Sequence, residues 1–283
     1  MTTYENFNEL DKLTLGKPTN YISEYSPKLL QAVPRTLNRD ELNVKDNNLP
    51  FIGEDVWYGY ELSWLNDKGK PIVAVAEFRF PCQSPAIVES KSFKLYLNSF
   101  NQTKFSSWQQ VQEHLINDLS KTSGMVTQVT LYPVNACPPL TISDSPAICL
   151  DELDVTIDNY KLSPNILEQS NSIKDKKVTE SLVSHLLKSN CLITNQPDWA
   201  SIYISYTGKA IDHVSLLKYL ISFRQHNEFH EQCVERIFCD IKKYCDISEL
   251  TVFARYTRRG GLDINPFRST LIKQAPCSRT LRQ

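Results

Sequence analysis

Glycine is scarce in this chain, with eight in 283 residues. Neither G-x-G-x-x-G nor G-x-x-x-x-G-K-[ST] occurs, so a nucleotide cofactor would not be held by a Rossmann or P-loop device. No Cys-x-x-Cys pair is present, which removes the commonest zinc and thioredoxin-like spacings. His226 and His230 stand four apart without an H-E-x-x-H frame, and no metal site is expected. The formal net charge is -1, so no global field draws the chain to nucleic acid or a membrane. No run approaches the ~18 apolar residues that span a bilayer. The start, Met1 to Asn6, is polar and has neither a basic nor an apolar signal region, so the expected location is the cytosol.

What is present suits a soluble α+β protein. Hydrophobic residues make up 41%, enough for a buried core, and the length suits one large domain or two at about 100–200 residues each. The eight cysteines are expected mostly as free thiols, because a chain of this size needs no staples. Cys233, Cys239 and Cys245 fall six apart on an expected helix, about 600° of turn per pair; they share no face and read as small buried hydrophobes.

A repeat organises the chain. Sliding Val88–Gln102 onto Ile211–Gln225, an offset of 123 (211 − 88), pairs Ser92 with Ser215, Tyr96 with Tyr219, Leu97 with Leu220, Ser99 with Ser222, Phe100 with Phe223 and Gln102 with Gln225. Val111 and Val234 continue the register, as do Val129 and Val252. Residues 55–64 and 72–80 read as strands joined at Asn66-Asp67-Lys68-Gly69; helices are expected over 90–102 and 107–121, and a strand over 126–132. The second half reads as a strand over 200–206, helices over 213–225 and 229–245, and a strand over 250–256. Each half is thus strand, strand, helix, helix, strand, with a fourth strand expected, antiparallel and with helices on one face. The first 45 residues, with Pro18, Pro27 and Pro34, read as an extended arm, and Gln169 to Lys177 as a linker.

Several residues could carry chemistry. Cys191 lies ahead of the strand at Ala200, with Gln196-Pro197-Asp198 read as a turn between. A cysteine nucleophile needs its thiolate, and a carboxyl donor such as Asp198 needs an apolar pocket that keeps it protonated. On pattern alone, a buried structural cysteine and a turn-forming aspartate are the simpler reading of the segment. His230-Glu231 opens a helix; a buried Glu can accept two hydrogen bonds from a guanidine-like edge, though acids also favour a first turn. Glu89-Ser90-Lys91, at a strand-to-helix junction, reads either as helix-start chemistry or as contact with a ligand or phosphate. In Arg255 to Gly261 the arginines could hold phosphate, and Gly260 and Gly261 allow positive φ or close approach.

Together, Glu89-Ser90-Lys91-Ser92-Phe93-Lys94-Leu95-Tyr96, Cys191 with Gln196-Pro197-Asp198, Phe229-His230-Glu231 and Arg258-Arg259-Gly260-Gly261 resemble the NADPH-dependent 7-cyano-7-deazaguanine reductases of queuosine biosynthesis, in their longer two-module form. The resemblance spans nearly the whole chain, including Leu15-Gly16-Lys17 and Leu37-Asn38-Arg39. It implies two tandem tunnelling-fold (ββααββ) modules, over 46–160 and 161–283, behind an arm over 1–45. Cys191 would form a covalent thioimide with the nitrile and Asp198 would protonate its nitrogen. Val88, Glu89, Ser90, His230 and Glu231 would hold 7-cyano-7-deazaguanine, and Ser90, Lys91, Arg259 and Gly260 would contact NADPH. A homodimer is expected, with no direct nucleic-acid partner. Leu192 departs from the Pro that shorter relatives often carry there.

The motifs are split between the halves. At the offset, Glu89-Ser90-Lys91 faces Asp212-His213-Val214, and Cys191 faces Lys68. The site is therefore expected at a seam between halves, within one chain or between chains. An amidinotransferase-like enzyme using ammonia, a zinc-dependent pterin or GTP cyclohydrolase-like enzyme, and a non-catalytic purine-binding module are the alternatives.

Overall fold

The β-branched and aromatic residues of 55–64 and 72–80 form a long hairpin, turned at Gly69 with φ +79°. A computed structural model describes residues 21–142, 146–167 and 177–283. Its elements are β1 (Ala32–Pro34), α1 (Thr36–Arg39), β2 (Ile52–Leu65), β3 (Pro71–Pro81), β4 (Ala86–Val88), α2 (Ser90–Asn98), α3 (Trp108–Ser123) and β5 (Gln128–Tyr132), then β6 (Ile148–Cys149), β7 (Lys177–Asn190), β8 (Pro197–Lys209), α4 (His213–Ile221), α5 (His230–Tyr244), β9 (Ile247–Tyr256) and β10 (Leu262–Ser269).

The class is α+β. One eight-stranded sheet runs β5-β3-β2-β10-β9-β8-β7-β6, antiparallel except for the β6–β7 pair, and β1 pairs with β4 apart from it. The halves thus share one sheet. Strand β10 of the second half lies along β2, and the five-residue β5 is left at the edge. No helix among the described residues is long and apolar enough to cross a membrane.

Period-two alternation sorts the sheet's side chains. Val252 and Ala254 of β9 join α4 and α5 in one core, with Leu216, Val234 and Ile237; Phe253 joins Val56, Tyr58 and Phe267 on the opposite face. Trp57, Phe78 and Phe80 pack with Phe93 and Tyr96 of α2 in the first half's core. Cys233 and Cys245 are buried as expected, Cys239 only partly, and none of the eight cysteines forms a disulfide.

The duplication extends to individual bonds. The side chains of Glu89 and Asp212 cap α2 and α4. Tyr96 Oη donates to Asp118 at 2.6 Å, and Tyr219 Oη to Asp240 at 2.7 Å. Ser99 Oγ and Ser222 Oγ each donate to a tyrosine carbonyl at 2.6 Å. The hairpins keep a different register: their bulges fall at Gly59/Leu62 and Ser184/Leu187, an offset of 125 (184 − 59). The structural counterpart of Cys191 is therefore Asn66, not Lys68. The first loop, 66–70, closes on the Asn66 side chain, which accepts from Lys68 N and Lys70 N.

The expected arm is partly built into the fold. Leu15-Gly16-Lys17 and most of the expected linker lie outside the described residues. Within 21–45, Tyr25 packs against Phe100 and Phe105, and Arg35 and Arg39 are buried. Arg35 and Arg268 meet Asp55 at 2.5 and 2.7 Å, and Arg39 and Arg268 meet Glu235 at 2.8 Å. This cluster ties the N-terminal segment and β2 of the first half to α5 and β10 of the second. Burial pushes the Glu235 carboxyl up, but Arg268 and Arg39 outweigh it and hold it below its usual range. Glu235→Gln leaves buried Arg35 and Arg268 sharing Asp55, and buried Arg39 with only the more exposed Asp46, and is expected to lower stability by about 3–5 kcal/mol in denaturant titration.

Candidate active site

Cys191 follows the last paired residue of β7 and opens the loop 191–196. Its N–H donates to Gln196 O at 2.8 Å, and its carbonyl accepts from Asn195 N at 3.0 Å. Asn195 supplies the left-handed turn, with φ +55°. Asn190 and the segment before α5 exchange backbone bonds, Asn190 N to His226 O at 2.8 Å and Glu228 N to Asn190 O at 3.1 Å. Leu192 and Ile193 pack on Val33, Ile87 and Phe229, so the residue that departs from Pro is an apolar anchor for the loop. Gln196-Pro197-Asp198 is not the expected turn: Pro197 and Asp198 already pair in β8 with Asn190 and Ser189. The turn falls earlier because Asn195 adopts positive φ.

Cys191, Asp198, His230 and Glu231 line one cleft with Val88, Ser90 and Lys94 of the first half and Arg259 of the β9–β10 connection. The cleft lies at the seam within a single chain. Trp57, Ile87, Phe229, Leu262 and Ile264 give it apolar walls. Gly260 and Gly261 have φ of +56° and +74°, as expected; a Cβ on Gly260 would press Lys94 at 3.1 Å, so glycine lets this turn lie against the lysine.

The charges interlock. Asp198, nearly inaccessible, is bonded by Arg259, which also reaches Gln196 Oε1, and lies 3.4 Å from His230 Nε2. Burial pushes the Asp198 carboxyl up, but His230 and Arg259 outweigh it and hold it below its usual range. The expectation of a raised, protonated Asp198 is thus reversed, because Arg259 and His230 sit where an apolar wall was expected. Glu231 is pushed up to about 7, first by burial and then by Asp55, with His230 acting against the shift. Burial and Arg259 push Lys94 down, while Glu89, Asp198 and Cys191 pull it back.

Glu89 is completely buried and does not line the cleft; its carboxylate accepts from Lys91 N and Ser92 N at 2.7 Å, the helix-start role. Ser90 lines the cleft, whereas Lys91 and Gly260 stand one residue outside its lining. Sequence reasoning missed Lys94 and Trp57 as lining residues. Lys94 lies one turn beyond Ser90, an i, i+4 relation that could have revealed it. Nothing in the sequence marked Trp57, whose buried Nε1 has no hydrogen-bond partner among the described residues.

Residues 21–131 match the family described as nitrile reductase, 7-cyano-7-deazaguanine-reductase N-term, and residues 197–275 match the family described as QueF-like protein. The chain is 66% identical over 286 aligned residues to the NADPH-dependent 7-cyano-7-deazaguanine reductase of Colwellia psychrerythraea, covering 100% of both. It is 56% identical over 270 residues to the relative of that name from Dechloromonas aromatica, covering 95% of this chain and 94% of the relative. The solved apo form of an archaeosine synthase QueF-Like aligns with 35% of this chain and 99% of its own at 14% identity, with a TM-score of 0.30, too slight a likeness to bear on function. By its full-length identity to these relatives, the chain belongs to the family of NADPH-dependent 7-cyano-7-deazaguanine reductases.

Proposed function

We propose that this enzyme reduces the nitrile of 7-cyano-7-deazaguanine to the aminomethyl group at the cleft between its halves. The observation that carries the reading is the meeting of Cys191, Asp198, His230 and Glu231 with Ser90, Lys94 and Arg259 in one cleft. Glu231 faces the two N–H donors of the base's guanidine-like edge, with Val88 and Ser90 alongside. Glu89 acts at one remove, by fixing the N-terminus of α2. The cations fit the cofactor's phosphates: Lys94 and Arg259 line the cleft, and Lys91 and Gly260 adjoin it.

Cys191 Sγ attacks the nitrile carbon, and its proton passes by way of the Asp198 carboxylate to the nitrile nitrogen, giving a thioimide. A carboxylate held ionised by His230 and Arg259 is suited to accept that proton first and deliver it second. When bound, NADPH would supply two hydrides, one to the thioimide and one to the imine left when the Cys191 thiolate departs, each matched by a proton from solvent. Covalent capture divides a four-electron reduction into two steps and retains the reactive imine. In this reading the product feeds queuosine tRNA modification, the enzyme is cytoplasmic, and two chains associate through exposed sheet edges such as β5.

The test follows NADPH absorbance with 7-cyano-7-deazaguanine as substrate. Two NADPH consumed per nitrile is the expected result. A folded protein that consumes none would overturn the reading; product formed from ammonia would favour amidine chemistry.

A further inference from the structure

A second cluster of ligand-type side chains lies at the far edge of the sheet. Cys149 of β6, Asp151 just after it and His185 of β7 each present one donor atom, sulfur, oxygen and nitrogen, all within 4.8 Å of one another. Their chain separation hid them: Cys149 and His185 are 36 residues apart (185 − 149), and only the parallel β6–β7 pairing, with Cys149 opposite Val183, brings them together.

The surroundings hold two of these groups in place. Asp151 accepts from Ser184 Oγ at 2.7 Å and from His185 N at 2.9 Å. His185 Nδ1 lies 2.8 Å from the hydroxyl of Ser201, itself buried. Such outer hydrogen bonds orient ligating carboxylates and imidazoles in metal sites. The β7 bulge between Ser184 and Leu187 encloses His185, and bulges re-aim side chains near sites. Arg282 donates to His185 O at 3.0 Å, and the charge of Asp151 acts on its guanidinium, so a cation at Asp151 would meet a competing positive charge.

We propose that Cys149, Asp151 and His185 form a site for a zinc-type divalent cation, separate from the reductase cleft. One thiolate, one carboxylate and one imidazole are a donor set suited to Zn2+, with the fourth tetrahedral position left to water. On binding, the cation displaces the Cys149 proton to solvent and joins the two-residue β6 to β7, pinning the sheet edge where backbone bonding is shortest.

The test is equilibrium dialysis of the metal-stripped full chain against Zn2+, with Co2+ as a spectroscopic probe, in a Cys191→Ala background that removes the cleft thiol. The expected result is one equivalent bound, a sulfur-to-cobalt charge-transfer band, and a rise in thermal midpoint with Zn2+. Cys149→Ser should abolish the band, and His185→Ala should weaken Zn2+ more than the roughly 10–100-fold that loss of an outer partner costs. Ser201→Ala should fall within that range, and Arg282→Ala should tighten binding. Circular dichroism establishes that each variant is folded. No stoichiometric Zn2+ in the Cys191→Ala protein, or undiminished binding by the folded double variant Cys149→Ser/His185→Ala, overturns the proposal.

Discussion

Cys191→Ala is expected to lower nitrile reduction by at least about 10³-fold while leaving the fold and base binding intact. Among the described residues, the Cys191 thiol is the only sulfur lining the cleft. Burial pushes the Cys82, Cys137 and Cys233 thiols up, and that of Cys239 up to about 12, and none of these lines the cleft. Cys149 and Cys277 are exposed and lie outside the cleft lining. Mass spectrometry of the protein mixed with 7-cyano-7-deazaguanine, without NADPH, should show one adduct, mapped to Cys191 and absent from the variant. An adduct on another cysteine, or substantial turnover by Cys191→Ala, would contradict the assignment. Unchanged binding with lost turnover also separates an enzyme from a purine-binding module, because a module would lose nothing.

The second large effect is a pH dependence of base binding set by Glu231. Its carboxyl is pushed up to about 7 by burial, with Asp55 adding to the shift. Two N–H donors prefer the ionised carboxylate, so affinity should be full above pH 7 and fall as pH drops through that value, by about tenfold per pH unit well below it. Measured by calorimetry with the Cys191→Ala protein, the slope should vanish in Glu231→Gln, whose affinity should be weaker by about 10²-fold at pH 8. Stability should move the other way. A carboxyl whose folded value lies above its unfolded value binds more protons when folded, so its contribution declines as pH rises from about 4.5 to about 7. Glu231→Gln should therefore be more stable than the parent at pH 8 and gain little at pH 4. A variant that loses stability at pH 8 would show that Glu231 is chiefly structural.

Much of the fold was legible because its signals are local. Strand alternation in 55–64 and 72–80, and helix starts at Ser90, Trp108, His213 and His230, were read within three residues of where the elements lie. The repeat was legible because Tyr96 and Tyr219, like Ser99 and Ser222, make the same bonds in both halves. Its extension to Cys191 was not, since hairpin loops of unequal length shift the register between the hairpins and the helices. Strand β7 went unnamed: its start, Lys177-Val178-Thr179-Glu180, mixes charge and hydroxyl with single apolar residues, and its bulge breaks the alternation.

The site divides in the same way. Cys191, Asp198, His230, Glu231, Ser90 and Arg259 were named from motifs, because each motif is a short stretch of chain. The sequence by itself determined the α+β class, the duplication with two helices and a following strand in each half, and which residue types could carry nitrile chemistry. Tertiary structure alone decided that both halves share one sheet, that the seam lies within a single chain, that Glu89 caps a helix while Lys94 faces the cleft, and that Asp198 is held ionised. Local structure follows from neighbours in sequence, whereas protonation depends on burial and on charges that lie far away along the chain: Asp198 is 61 residues from Arg259, and Glu231 is shifted by an aspartate from the other half.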